Sequence, residues 1–193
     1  MVASIGIVGA IASGKSTATR WFAARGWTVV DADTEAHALY EPGSELVAAL
    51  ELRFGRGILH PTGALDRAAL GKIVFADPVA LADLEALVHP LARQRIWSAV
   101  DQAAIRGESV VLEMALLYRW PRMIGRLDQI LGIRCADWIR LERLVERSGM
   151  APDQARHRLL AQDEAAILSV ATSTVSNEGD PTVLTNWLET LTL

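Results

Sequence analysis

The sequence predicts an α/β fold, built as a mainly parallel five-stranded sheet with helices on both faces, and three observations carry that prediction. Short apolar runs suited to buried strands alternate with stretches of helical periodicity along the whole chain. Between the first run and the first helix lies Gly9-Ala10-Ile11-Ala12-Ser13-Gly14-Lys15-Ser16, which fits Gly-x-x-x-x-Gly-Lys-Ser, a loop whose backbone N–H groups wrap nucleotide phosphates. Two other apolar runs end in carboxylates, Asp31-Ala32-Asp33 and Glu113, at the strand ends where open parallel sheets place their ligands.

In chain order, Ile5 to Val8 reads as the first strand and Thr17 to Arg25 as the first helix, with Ala18, Trp21 and Phe22 on one face and Gly26 as its stop. The helix N-terminus would direct its N–H groups at the phosphates, with Lys15 between the β- and γ-phosphates and the Ser16 hydroxyl on Mg²⁺. Lys15 and Lys72 are the only lysines beside 17 arginines, so Lys stands where a slim, flexible cation is needed. Trp27 to Val30 reads as the second strand; Asp31 and Asp33 share a face only if that strand continues past them.

From Thr34 to Arg106 helical signals dominate. Ser44 caps a helix carrying Leu46, Val47, Leu50 and Phe54, Pro61-Thr62-Gly63 marks a turn, and Asp77-Pro78 starts another helix. His89-Pro90 is expected to interrupt that helix and leave His89 at a bend before Leu91 to Arg106. The spans Val110 to Glu113, Gln129 to Ile133 and Thr172 to Ser176 supply three more strands. Glu113 would reach Mg²⁺ through water or accept a hydrogen bond from substrate; the equally weighted alternative is an exposed strand end. Asp137 to Arg147 reads as a helix with Arg140, Arg143 and Arg147 on one side, either closing over a triphosphate or facing solvent beside Glu142 and Glu146. Pro152 opens a further helix, Asn177 to Pro181 turns, and Leu184, Trp187, Leu188 and Leu191 form a closing amphipathic helix.

Composition narrows the function. A chain of 193 residues, 51% hydrophobic, suits one domain, and a net charge of −4 argues against a nucleic-acid binder with a general basic surface. The single Cys135, read as a small buried apolar residue, fits a reducing compartment. The apolar N-terminus lacks a preceding basic residue and reads as a strand rather than a leader, and no apolar run is long enough to span a bilayer. A soluble, cytoplasmic protein with no membrane or nucleic-acid partner, a monomer or weak homo-oligomer, is the expectation.

Read together, the motifs resemble the dephospho-coenzyme A kinase family of the P-loop NTPase fold. The resemblance rests on the phosphate loop, Asp31-Ala32-Asp33 with Ala36-His37, Phe54-Gly55, Gly63-Ala64-Leu65-Asp66-Arg67, Val74-Phe75, Leu84-Glu85 with His89-Pro90, Leu116-Leu117, and Arg143 with Arg147. It implies ATP- and Mg²⁺-dependent phosphorylation of the ribose 3′-hydroxyl of dephospho-coenzyme A, with Asp33 taking the proton from that hydroxyl. It further implies that Ala10, Ile11, Ala12, Ser13, Gly14, Lys15, Ser16, Thr17 and Asn177 hold the nucleotide, and that Ser16 and Glu113 hold the metal. Arg143 and Arg147 would come from a mobile lid, and Asp33, Arg67, His89, Arg93, Glu113 and Leu116 would meet the acceptor. The expected organisation is one domain: a nucleotide-binding core at about 1–33, 107–135 and 166–193, a helical acceptor region at about 34–106 and a lid at about 136–165.

Several positions depart from the family pattern. Ala10 and Ala12 stand where glycine is common, which requires negative φ at both. Glu113 replaces a common Asp, Ala115 a usual Pro, Arg140 a usual Gln, and Arg119 an acidic residue. These changes keep two other readings open, a related kinase with a different acceptor and a nucleotide-binding regulatory protein without turnover.

Overall fold

The computed structural model describes residues 2–191. It divides into two compact units, one made of the chain up to Asp31 and from Val100 onward, the other of Ala32–Ala99.

The first unit holds β1 (Ser4–Gly9), β2 (Thr28–Asp31), β3 (Val110–Glu113), β4 (Gln129–Arg134) and β5 (Ser173–Ser176), ordered β2-β3-β1-β4-β5. Every neighbouring pair is parallel. Strands buried on both faces need continuous apolar runs rather than alternation, which is why β3 reads Val-Val-Leu before Glu113. On one face Ile5, Ile7, Val111, Leu131, Ile133 and Val175 pack with Ala18 and Phe22 of α1 (Lys15–Ala23) and with Leu184 and Leu188 of the closing helix, residues 181–189. The ring of Phe22 is fully buried, with Trp21 and Trp27 edge-on at 5.0 and 4.9 Å between centroids. Truncating such a ring to Ala costs about 3–5 kcal/mol. On the other face Leu117 and Leu127 come so close to Gly6 that a Cβ there would sit 3.0 and 2.9 Å from their methyl carbons.

A charged latch closes the start of β2. The Thr28 hydroxyl donates to Glu108 at 2.6 Å, and Arg106 donates to both Glu108 oxygens at 2.8 Å. These donors, Arg106 first, hold the Glu108 carboxyl down at about 2, below its ordinary 4.5. Since the folded value is the lower one, the latch stabilises fully above about 4.5, and its contribution is lost as pH falls through about 2. Glu108→Gln should therefore lower the urea midpoint at pH 7, with the gap to the parent protein closing toward pH 2.

The second unit is helical: α2 (Ala32–Ala38), α3 (Glu45–Phe54), α4 (Arg67–Ala76) and α5 (Pro78–Ile105), whose residues as far as Ala99 belong here. The starts of α3, α4 and α5 each have a side-chain cap. The Ser44 hydroxyl accepts from Val47 N–H at 3.2 Å, Asp66 accepts from Ala68 and Ala69 N–H at 2.9 Å, and Asp77 accepts from Val79 N–H at 2.8 Å. The amides of Ala69 and Ala68 hold the Asp66 carboxyl below the usual carboxylate range. Leu46, Leu50, Ile58, Leu70, Val74 and Ala80 form its core.

The expected break at His89-Pro90 is corrected: α5 runs through it without interruption. Pro90 has no N–H to donate to the Ala86 carbonyl, but His89, Pro90 and Ala86 are all exposed to water. The apolar stripe of Leu84, Leu87, Val88 and Leu91 continues past the proline into the same core cluster, and that packing outweighs the local defect.

After β3 come α6 (Pro121–Ile124), α7 (Asp137–Ser148), α8 (Pro152–Leu160), α9 (Glu164–Leu168) and α10 (Pro181–Glu189). No described helix is long and apolar enough to cross a membrane.

Candidate nucleotide and acceptor sites

β1 ends at Gly9 and α1 begins at Lys15, so the intervening residues form a loop over the sheet's C-terminal edge. Its two motif glycines are required by geometry. A Cβ on Gly9 would lie 2.7 Å from the Ile133 carbonyl oxygen, and one on Gly14 would lie 2.2 Å from Asn177 Nδ2. Gly14, at φ 114, caps α1, and its carbonyl accepts from Thr17 and Ala18, so the amides of Lys15 and Ser16 come before the first bond of the helical ladder. An anion at this terminus meets backbone N–H groups and the positive dipole end. Lys15 Nζ donates to the Ala10 carbonyl at 3.3 Å, across the loop.

The expectation of negative φ at Ala12 is corrected. Its φ is 61, and it is the one non-glycine residue with positive φ among the described residues. The conformation is held from outside the loop: Ile11 and Ala12 pack against Leu144, Ala155 and Leu159 of α7 and α8. An L-residue in this region costs about 1 kcal/mol, so Ala12→Gly should stabilise the protein by about 0.5–1 kcal/mol in urea titration. A loss of stability instead would show that the methyl's packing exceeds the strain.

Ser16 and Glu113 come together as the sequence suggests. The Ser16 hydroxyl donates to one Glu113 oxygen at 3.5 Å and Thr19 to the other at 3.2 Å, at the end of β3 in register with Ile7 and Asp31. One carboxylate and one hydroxyl beside a phosphate-binding loop suit Mg²⁺, which keeps several waters and takes its remaining ligands from the nucleotide. The donor set fits the ion.

The three arginines of α7 do not act as one face. Arg140 is 3% exposed, donates to Asp137 at 2.5 Å and leaves Nε and Nη1 without partners. Spacing groups their Cα atoms, but Arg140 lies beside buried Ile139 on the inward sector, so the solvent-facing alternative does not hold for it. Arg143 does reach the loop, donating to the Ala12 carbonyl at 3.5 Å and to the Asn177 carbonyl at 3.1 Å. Arg147 is exposed in the last turn. Cys135 is buried as expected, and burial pushes its thiol up against the opposing pull of Arg143.

Asn177 is 5% exposed, and its amide donates to the Ser13 carbonyl at 2.8 Å. It braces the loop from behind. A second brace escaped the sequence reading: Ile11 N–H donates to Gln162 Oε1 at 2.6 Å across 151 residues. No local pattern around Gln162 signals it.

In the helical unit the chain turns into α2 directly after Asp31, so Asp33 is the second residue of a helix rather than a strand residue. The ring nitrogen Nδ1 of His37 lies 2.9 Å from the Asp33 backbone carbonyl. Asp33 and Arg67 line one pocket of about 300 Å³, whose apolar walls include Tyr40, Leu65, Val74 and Phe75. The Arg67 guanidinium stands 5.2 Å from the Tyr40 ring centroid, and burial raises the Tyr40 hydroxyl pKa against the opposing charge of Arg67. Phe75 is 84% exposed, a large ring left outside the core at the wall of a cavity. His89 and Arg93 are exposed on α5 and do not line this pocket. Leu116, 45% exposed, follows β3 in the other unit, beside fully buried Leu117. No local signal in the sequence marks Tyr40 as a wall of the pocket, whereas Val74-Phe75 belongs to the family-like pairs.

The profile of the dephospho-CoA kinase family matches residues 3–182. The chain belongs to that family. A dephospho-CoA kinase of Methylococcus capsulatus is 40% identical over 177 residues, covering 91% of this chain and 88% of its own length. One of Symbiobacterium thermophilum is 42% identical, covering 82% of this chain and 66% of its own length. Among solved structures, a protein from Thermus thermophilus superposes with a TM-score of 0.78 at 31% identity, covering 100% of this chain and 99% of that one. Dephospho-CoA kinase from Campylobacter jejuni superposes at 0.72 and 23% identity, covering 98% and 96%, and bears on the fold alone. The dephospho-CoA kinase family carries out the last step of coenzyme A biosynthesis, and this chain is a kinase of that family.

Proposed function

We propose that the protein transfers the γ-phosphoryl group of ATP to the ribose 3′-hydroxyl of dephospho-coenzyme A. The observation that carries this reading is the pocket in which the Asp33 carboxylate and the Arg67 guanidinium share an apolar wall with Tyr40 and Phe75. Such a pocket suits an acceptor whose reactive hydroxyl adjoins an apolar, flat body and an anionic group, as in an adenosine phosphate. Asp33 accepts the hydroxyl proton as that oxygen attacks the γ-phosphorus; the bond to the β–γ bridging oxygen breaks and ADP leaves. Lys15 and the amides of the α1 N-terminus hold the transferring phosphates, and Thr17, in the first turn of α1, adds a hydroxyl at the α-phosphate. Ser16 would hold Mg²⁺ with Glu113 behind it, and the ion would supply positive charge to the phosphates. Arg143 and Arg147 act from the segment at about 136–165, where exclusion of water keeps hydrolysis from competing.

The helical region at about 34–106 is the acceptor side of a single kinase domain, and the reducing cytoplasm is its compartment. Acceptor-dependent ADP release tests the reading. Purified protein with ATP and Mg²⁺ should release ADP only slowly until dephospho-coenzyme A is added. Full release without it, or none with it, contradicts the assignment of the acceptor.

A further inference from the structure

The phosphate loop is not held by its own turns alone. Within its outer half, Ile11 N–H is bonded to Gln162 Oε1 at 2.6 Å, the Ala12 carbonyl accepts from Arg143, and the Ile11 and Ala12 side chains pack on the α7–α8 cluster. Within the loop itself, the Ala10 carbonyl accepts from Ser13 N–H at 3.2 Å and from Lys15 Nζ at 3.3 Å, and neither bond reaches Ile11 or Ala12. Gln162 follows α8 and precedes α9, half-buried. A loop residue with positive φ and a side chain, as at Ala12, keeps that conformation only where its surroundings over-determine it.

We propose that Gln162 is a positioning residue for ATP: by accepting the Ile11 amide it fixes the outer half of the loop, so that the amides from Gly14 to Ser16 converge on the phosphates before the nucleotide arrives. An amide oxygen on a neutral side chain suits the task. It satisfies a backbone donor without placing negative charge beside a triphosphate. Removing the acceptor leaves a loop that must order itself on binding, and that ordering weakens nucleotide affinity while leaving the acceptor pocket of the other unit untouched. The inference rests on the loop being the ATP site and is independent of which acceptor is phosphorylated.

Gln162→Met keeps the length of the side chain and removes the acceptor oxygen; Gln162→Glu keeps an oxygen acceptor. The test combines calorimetric binding of a non-hydrolysable ATP analogue with Mg²⁺, amide hydrogen exchange at Ile11, and steady-state kinetics on the full chain. For Gln162→Met the expected result is a five- to tenfold weaker dissociation constant and faster exchange at Ile11. KM for ATP rises in parallel, and KM for the acceptor and kcat at saturating ATP stay within twofold. Gln162→Glu should keep the Ile11 amide protected, which a merely structural role for the side chain would not predict separately from overall stability. Parent-like analogue affinity in Gln162→Met overturns the proposal, as does weakened affinity with Ile11 still protected. If Gln162→Met fails to fold, loss of Ile11 protection in a folded Gln162→Glu overturns it equally. A parent protein that does not bind the analogue at all would overturn the nucleotide site itself, a distinguishable outcome.

Discussion

Asp33→Asn should lower kcat by about 10²–10⁴ while leaving ATP-analogue binding within about twofold. The substitution keeps size and hydrogen-bonding capacity but removes the basic oxygen, and an alcohol attacking phosphorus must lose its proton to some acceptor. Asp33 is exposed in the first turn of α2, and the near-isosteric change keeps the side chain's shape, so the loss falls on chemistry. Steady-state turnover at saturating substrates, together with calorimetric analogue binding, checks both halves. Undiminished turnover would remove Asp33 as the base; lost nucleotide binding would give it a different role.

Gly14→Ala should abolish nucleotide binding, for two independent reasons. At φ 114 an L-residue is strained by about 1–3 kcal/mol. The new Cβ would also sit 2.2 Å from Asn177 Nδ2, and that side chain has nowhere to yield. It is buried, and its amide holds the Ser13 carbonyl at 2.8 Å. Displacing it leaves a buried acceptor unsatisfied, at about 1–3 kcal/mol, and shifts the loop, where a misplacement of about 1 Å is worth about 10²-fold in rate. Urea unfolding should show the stability loss and calorimetry the absent ATP affinity. Parent-like affinity in the folded variant would mean that the loop reshapes around ligand and that its resting geometry does not matter.

The nucleotide half of the protein was legible because its signals are local. A continuous Val-Val-Leu run closed by Glu113 reads as a buried strand with a carboxylate at its end, and the Gly-Lys-Ser turn needs just the strand and helix on either side. Ser44, Asp66 and Asp77 each bond an amide two or three residues away, so their capping is written in a few letters. Pro90 misled because its outcome depends on whether the ring points to water and whether Leu91 continues the stripe of Leu84 and Val88, facts of packing. The arginines of α7 show a related limit: a three-residue spacing groups positions on a helix but does not say which sector turns inward, as Arg140 does.

Ala12 shows the same limit in the backbone. The sign of its φ is set by contacts with Leu144, Ala155 and Leu159, more than 130 residues away in the sequence, and no reading of the loop alone contains them. The pocket proposed for the acceptor gathers Asp33 and Tyr40 near α2, Arg67 and Phe75 from α4, and Leu84 from α5. Its charged residues were candidates by resemblance, whereas Tyr40 and Phe75 look like ordinary core residues until the fold leaves Phe75 exposed.

The most direct test of the account is to locate the transferred phosphate. Protein, ATP, Mg²⁺ and dephospho-coenzyme A are incubated together, and the product is fragmented by tandem mass spectrometry. The account predicts one added phosphate on the adenosine ribose at its 3′-oxygen, formed by the parent protein and not detectably by Asp33→Asn over the same interval. A phosphate on any other oxygen, or equal product from Asp33→Asn, would contradict it.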